Sequence, residues 1–568
     1  MIDGEARPAL DKFHYVSGLS GGNVPSIMVA YAQNTTTDEL LDVDGINHPT
    51  EITAEELDAL AEKSVFKTLA SSVVPYMPKA LERFLLFGGN VFSNVVSMCC
   101  LETHGVERDA PLTSIRDEVK YTPVVETAMV GPSELYVEWL YNSANVAFGD
   151  AIVENGDLLQ DSHVSSLPVK VNDNSVMWKN SEASGHQIPI PAFITPDTFH
   201  IPFDASTLKF DTAVDTVADP VHFAPVSSDP NLLQPKSEGK YTVQKFLAMG
   251  TNLLSILAHD AYEMVAGHDE LGALLDTVNA PMLQDIPTTR GHKRSMAFTD
   301  GGYSDFSGIP ALVKLGATKI VVPIFSTMTP ERVLELGGPV GVTAYYLERY
   351  FGALQSPLPA YNTTYFDFTY AGGYISHIFD ARSNGEDQMT KLRDGLTSLH
   401  RAGGPMVITL DKLEVVANPF WGIEAGGKVD LTIISVLDVP TKFSNQIDPA
   451  AAPPPANRSF TEQGYFTNED LHDVPILAST GNIFELDIPD GNVTNTVPLP
   501  IELAVNPRGC KMTEILTSWI VREAWHELDG VTGAETFAGF KEIFGDVVDM
   551  DRVQTDRMDS TSLASDLM

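Results

Sequence analysis

Two short stretches of the chain put chemistry-bearing residues where the backbone must turn sharply. The first is Gly18-Leu19-Ser20-Gly21-Gly22, a G-x-S-x-G pattern. A serine on a tight strand-to-helix turn takes strained backbone angles that lift its hydroxyl above a sheet. Glycine on both flanks removes Cβ atoms that would collide there. The N–H of Gly21 is then placed to bind an oxyanion, and the helix that follows aims its positive end at the same spot. The second stretch is Asp300-Gly301-Gly302, which closes the run "SMAFT". An acidic residue in that position serves either as a base or as an ordinary Asp-Gly turn. Ser20 is thus a candidate nucleophile, and Asp300 is either a functional carboxylate or a turn residue.

Both stretches need elements to hold them. Residues 13–17, aromatic and β-favouring, predict a strand before Ser20. Residues 24–32 predict a buried helix after it, with Pro25 near the start, where a missing N–H costs little. The block "SMAFTDGGYSDFSGIPALVKLGATKIVVPIFS" predicts strand, glycine turn, helix, a stop at Gly316, then a buried parallel strand. Further strands are expected at 405–410 and 428–436. This alternation predicts a layered α/β domain. Residues 33–118 read as mostly helical, with a capping box from Thr53 to Glu56. The uncharged stretch 84–101 carries two Gly, two Asn and two Ser, so it reads as a core helix with a flanking loop, or as a lid element that meets lipid, rather than a membrane span. Residues 150–240, rich in Pro, Asp, Ser and Thr, read as an irregular or short-stranded insert or cap. "YTVQKFLAMGTNLLSILAHDAYEMV" returns to a helical pattern. "DPAAAPPPAN" at 448–457 is a Pro-rich linker. The expected organisation is one catalytic domain over 1–545 and an acidic mobile tail over 546–568.

The blocks "SGLSGGN" and "DGGYSDFSGIPAL" resemble the nucleophile and aspartate blocks of the patatin-like and cytosolic or fungal phospholipase superfamily. "NPFWGIEAGGKVDLTII" and "LTSWIVREAW" are similar, more loosely, to its eukaryotic branch. The resemblance implies a three-layer α/β/α core with a large helical and irregular insert. It implies a Ser-Asp dyad in which Asp300 takes the Ser20 proton directly. Gly18, Gly21 and Gly22 then shape the oxyanion side, and Gly301 and Gly302 turn the aspartate loop. It further implies phospholipid or lysophospholipid esters as substrates, with no metal and no cofactor. The chain departs from the family in two places. A Gly-rich oxyanion loop is expected upstream of the nucleophile, yet only nineteen residues precede Ser20, and "MIDGEARPALDK" is not that loop. A start truncated relative to the family, or a donor from elsewhere, is therefore expected. Phe306 stands where the family pattern carries Asn. Two alternatives remain open. One is a Ser-Asp-His triad using His377, His400, His472 or His526; the other is a non-catalytic lipid-binding relative.

Composition sets outer limits. The 568 residues are 43% hydrophobic, enough for a large core. A formal net charge of −40 repels nucleic acid and anionic membrane surfaces, so no nucleic-acid partner and at most peripheral membrane contact are expected. The three cysteines, Cys99, Cys100 and Cys510, cannot form a disulfide framework. With no apolar leader in the first residues, this favours a cytoplasmic protein. Sequons at Asn34, Asn362, Asn457 and Asn492 keep a secreted origin open. No Walker loop, dinucleotide fingerprint or zinc motif is present, and "DVDG" at 42–45 lacks the rest of a calcium loop.

Overall fold

A computed structural model describes residues 9–41, 91–131, 190–196, 242–251, 293–301, 307–325, 377–418, 421–436, 440–447 and 514–524. It also describes Asp305, scattered positions between 49 and 83, residues 347 and 349–351, and the strands 135–140, 166–170, 199–200, 208–210, 282–287, 484–487 and 502–505. The linker at 448–457, the tail at 546–568, and Gly302, Phe306, Cys510, His472 and His526 lie outside the described residues.

Among the described residues, nine strands and five helices position the candidate site. The strands are β1 (Tyr15–Gly18), β2 (Thr122–Gly131), β3 (Ile190–Ile194), β4 (Phe199–His200), β5 (Met282–Pro287), β6 (Lys293–Asp300), β7 (Lys319–Phe325), β8 (Val407–Glu414) and β9 (Lys428–Val436). The helices are α1 (Asn23–Tyr31), α2 (Val91–Val96), α3 (Val243–Thr251), α4 (Ile309–Lys314) and α5 (Gln388–Arg401). The main sheet runs β4-β3-β2-β6-β5, with β1 also paired to β2. A second sheet runs β7-β9-β8. The architecture is mixed α/β.

The pairings are less uniformly parallel than helix–strand alternation suggests. In the main sheet only β1 is parallel to its neighbour, while β3 and β6 flank β2 antiparallel. In the second sheet β7 is parallel to β9 and β8 is antiparallel. The run "IPIPAFI", expected within the insert at 150–240, supplies a core strand instead. Ile190–Ile194 is the direct neighbour of β2, and Ala192, Phe193 and Ile194 are fully buried. Its prolines obscure it in the sequence: Pro191 stands opposite Ala128 in the pairing with β2, inside the sheet.

Strand parity separates the two faces of the main sheet. Val125 and Thr127 point to one face, where α1 and α3 pack. The Thr127 hydroxyl donates to the Met249 carbonyl at 3.1 Å, and the Asn23 amide donates to the Gly250 carbonyl at 3.0 Å. Val124 and Phe193 point to the other face and pack with Ala311 of α4. Helices thus cover β1 and β2 on both sides. Helix α1 is buried on almost every side, from Ser26 through Tyr31, which accounts for its nearly continuous apolar sequence. Two tyrosines tie it down: Tyr31 donates to the Leu112 carbonyl at 2.8 Å and Tyr121 donates to the Ser26 carbonyl at 3.0 Å.

Several local expectations match the structure. Glu56 N–H donates to the Thr53 hydroxyl at 3.1 Å, the expected cap. Helix α4 ends in Gly316 at φ 84°, a left-handed position that favours glycine, and β7 follows at Lys319. The stretch after 90 is α2, continued by a π-helical turn at Ser97–Leu101 whose residues are all buried, so it belongs to the core. Cys99 and Cys100 are free and buried there; burial pushes the Cys99 thiol up to about 12.

At Gly250, helix α3 comes close to β2. A Cβ there would sit 2.4 Å from Val125 Cγ1 and 2.9 Å from the Glu126 carbonyl oxygen. Gly250→Ala gains up to about 1 kcal/mol of helix propensity, but overpacking against a sheet backbone costs about 1–3 kcal/mol. The net expectation is a lower urea midpoint for Gly250→Ala. An unchanged or higher midpoint would show that α3 can lift off β2 freely.

Candidate active site

Strand β1 delivers the chain to Ser20. Residues Ser20–Gly22 form a single 3₁₀ turn that runs directly into α1, and the Gly22 N–H donates to the Leu19 carbonyl at 2.8 Å. The order strand, turn, helix is the one the motif requires. The side chain of Ser20 lies outside the described residues, so only its backbone is placed. Gly18 is glycine for a steric reason. A Cβ there would lie 2.7 Å from the Cα of Asn23 and 2.9 Å from its nitrogen, so α1 could not fold back against β1.

One feature expected of the turn is absent. A Cβ on Gly21 or Gly22 would meet nothing within 4 Å, so those glycines are not required to avoid collision. Gly22 has an ordinary helical φ of −66°. The 3₁₀ turn passes straight into α1. Gly21 and Gly22 are exposed.

Asp300 closes β6 and is fully buried. The registers fix its relation to the serine turn. Val125 of β2 pairs with Gly18 on one edge and with Ile194 of β3 on the other. Thr127 pairs with Asp300 and, on its other edge, with Ala192 of β3. β1 and β6 therefore share one edge of β2 and run towards each other, their C-terminal ends meeting beside Glu126. Gly18 and Asp300 stand two register positions apart, about 7 Å along β2. Both belong to the α1 and α3 face, since Gly18 is opposite Val125 and Asp300 is opposite Thr127. The next residue, Gly301, presses on β2 itself. A Cβ on it would lie 2.7 Å from the Glu126 carbonyl carbon and oxygen. Gly302 lies outside the described residues.

Beneath this junction is a buried polar cluster that the sequence motifs do not announce. Glu126 sits between the two meeting strand ends and is fully buried. The Ser17 hydroxyl donates to its Oε1 at 3.2 Å, and no N–H or other hydroxyl among the described residues donates to its Oε2, which leaves the Asp305 carboxyl as its neighbour. Burial raises the Glu126 carboxyl well above the usual carboxylate range, and the nearby Asp305 carboxyl raises it further. Asp305, 3% exposed, accepts from the Gly308 N–H at 2.6 Å and from the Tyr350 hydroxyl. Tyr350 in turn lies 2.6 Å from the Ser307 hydroxyl. Because Tyr350 gives its proton to Asp305, Ser307 is the donor in that second bond. Asp305 N–H also donates to the Gly301 carbonyl at 3.1 Å, which closes the aspartate turn. Burial, then the Asp305 charge, pushes the Tyr350 phenol well up. One sequence signal could have exposed Glu126: it is a lone carboxylate inside the apolar run "PVVETAMV".

Of the histidines considered for a triad, His377 is buried, with its Nε2 3.1 Å from the Phe379 carbonyl oxygen, and burial lowers its pKa. Its carbonyl accepts from the Asn418 amide at 2.9 Å. This geometry occupies Nε2 with a backbone group. His400 lies on α5, with its side chain outside the described residues. No group of acidic, histidine or cysteine side chains suited to a metal occurs among the described residues. No described helix is long and apolar enough to cross a membrane. No protein-family model matches the chain, and no curated protein matches it in sequence.

Proposed function

We propose that the chain is a serine acyl hydrolase of carboxylic esters, with Ser20 as nucleophile and Asp300 as base. One observation carries this reading. Two motif-bearing strand ends, remote in sequence, meet head to head on one edge of β2, at Gly18 and Asp300. A direct Ser-Asp proton transfer needs such convergence, because no third residue bridges the pair. Burial of Asp300 suits a base that acts on the serine and not on the substrate. The likeness of "SGLSGGN" and "DGGYSDFSGIPAL" to the phospholipase blocks supports a phospholipid or lysophospholipid ester as substrate, met by peripheral contact with a lipid surface. Buried, free Cys99 and Cys100 are in keeping with a reducing compartment.

A second reading has a specific observation in its favour. Gly21 and Gly22 are exposed with open space around them, which fits a lipid-binding relative that has lost turnover. A fluorophosphonate probe separates the two. The hydrolase reading expects covalent labelling of the parent and none of Ser20→Ala, with both variants folded by circular dichroism. Folded parent that resists the probe would leave the lipid-binding reading standing.

A further inference from the structure

Glu126 is the residue that both candidate loops touch. Ser17, the residue before Gly18, donates to its carboxyl at 3.2 Å. Gly301 packs over its backbone, and Gly308 approaches both its Oε1 and Ser17, since a Cβ on Gly308 would lie 2.9 Å from Ser17 Oγ and 3.2 Å from Glu126 Oε1. Gly308 can sit there because φ is 76° and no side chain intervenes. The same glycine's N–H holds Asp305. The groups acting on Glu126 are Asp305 from the aspartate loop and Ser17 from β1, with Tyr350 behind Asp305. Two buried carboxyls this close cannot both be ionised without a large Coulomb cost. Asp305 has two donors, the Tyr350 hydroxyl and the Gly308 N–H, and these suit the charged member. Glu126, with the Ser17 hydroxyl as its single donor and the Asp305 carboxyl within hydrogen-bonding reach, suits the neutral one.

We infer that Glu126 and Asp305 hold one proton between them and act as positioning residues, clamping the serine-bearing strand to the aspartate loop. The inference rests on the hydrolase reading for its functional meaning. When the pair loses its shared proton, a second negative charge enters the junction. Repulsion then separates Asp305 from Glu126 and carries Gly301 and Asp300 away from the serine turn. The clamp therefore gives the site an alkaline limb that neither Ser20 nor Asp300 would produce.

The test uses the full chain as parent, Glu126→Gln and Glu126→Leu. The rate of fluorophosphonate labelling at Ser20 is followed from pH 5 to 9, with folding monitored by circular dichroism. The parent should lose rate towards high pH. Glu126→Gln, neutral throughout, should match the parent at low pH and lack the alkaline limb. Glu126→Leu should be slower at every pH by about 10²-fold, the scale of a 1 Å misplacement. An alkaline limb retained in Glu126→Gln would overturn the inference, as would parent-like labelling of Glu126→Leu. If Glu126→Leu does not fold, the comparison of Glu126→Gln with the parent decides alone. If the parent is not labelled at any pH, the hydrolase reading falls and the positioning role with it. Infrared spectroscopy then decides the pair by itself: a protonated-carboxyl band at neutral pH in the parent, lost in Glu126→Gln, supports it, and no such band refutes it.

Discussion

Asp300→Asn should cut ester turnover by about 10²- to 10⁴-fold while leaving KM and the fold near those of the parent. The lower bound is the usual contribution of a positioned general base. The upper end applies because the serine would then have no other group to take its proton. The introduced asparagine could keep the place of Asp300 at the end of β6, opposite Thr127, since the two side chains are close to isosteric. A loss confined to kcat is what removal of a proton acceptor produces, whereas disordering of the loop would raise KM as well. Steady-state kinetics on a lysophospholipid and on a soluble short-chain ester give the split. His377→Ala is the matched control. Its ring is tied to the Phe379 carbonyl, so a dyad expects turnover within a few-fold of the parent. Full activity in Asp300→Asn would place the base elsewhere, and collapse in a folded His377→Ala would make a triad the better account.

Local structure is readable where one stretch of chain carries the whole signal. The passage from β1 through Ser20 into α1, the stop at Gly316, the capping box at Thr53 and the strand Lys428–Val436 each follow from neighbouring residues. The convergence of Gly18 with Asp300 does not. It depends on two registers along β2, and nothing within either motif states that β2 lies between them. Ile190–Ile194 is hidden because prolines in a strand usually mark an edge or a loop, yet here Pro191 sits inside the sheet. The lone Glu126 resembles a solvent-facing position on a half-buried strand. Only the arrival of Asp305 and Tyr350 from distant segments shows that it is interior. The G-x-S-x-G pattern invites crowding at every glycine, but only Gly18 is crowded by a neighbour, while Gly21 and Gly22 have open space in the 3₁₀ turn.

The stability of the fold should itself report the Glu126 proton. In the unfolded chain Glu126 ionises near the ordinary glutamate value of about 4.3. In the folded chain burial and Asp305 hold its proton well above that range. The sign follows from linkage. Below the unfolded value both states carry the proton and the group's contribution is fully present. As pH rises beyond it, the unfolded chain releases the proton while the folded chain retains it, so stability is lost until the folded value is passed. The slope across that window is about 1.4 kcal/mol per pH unit for one proton. Glu126→Gln has no such proton to release. Subtracting its unfolding free energy from that of the parent removes the background from the carboxylates other than Asp305, and the difference then reports the coupled pair. The variant should therefore gain on the parent from about pH 4.5 upward, becoming the more stable protein by neutral pH. Working below pH 9 keeps Tyr350, whose phenol is pushed up, out of the comparison. Urea unfolding of both proteins at one-unit pH intervals measures the difference. Parallel curves would mean that Glu126 ionises alike in both states, and the interior at the strand junction would then have to be wet enough to solvate two charges.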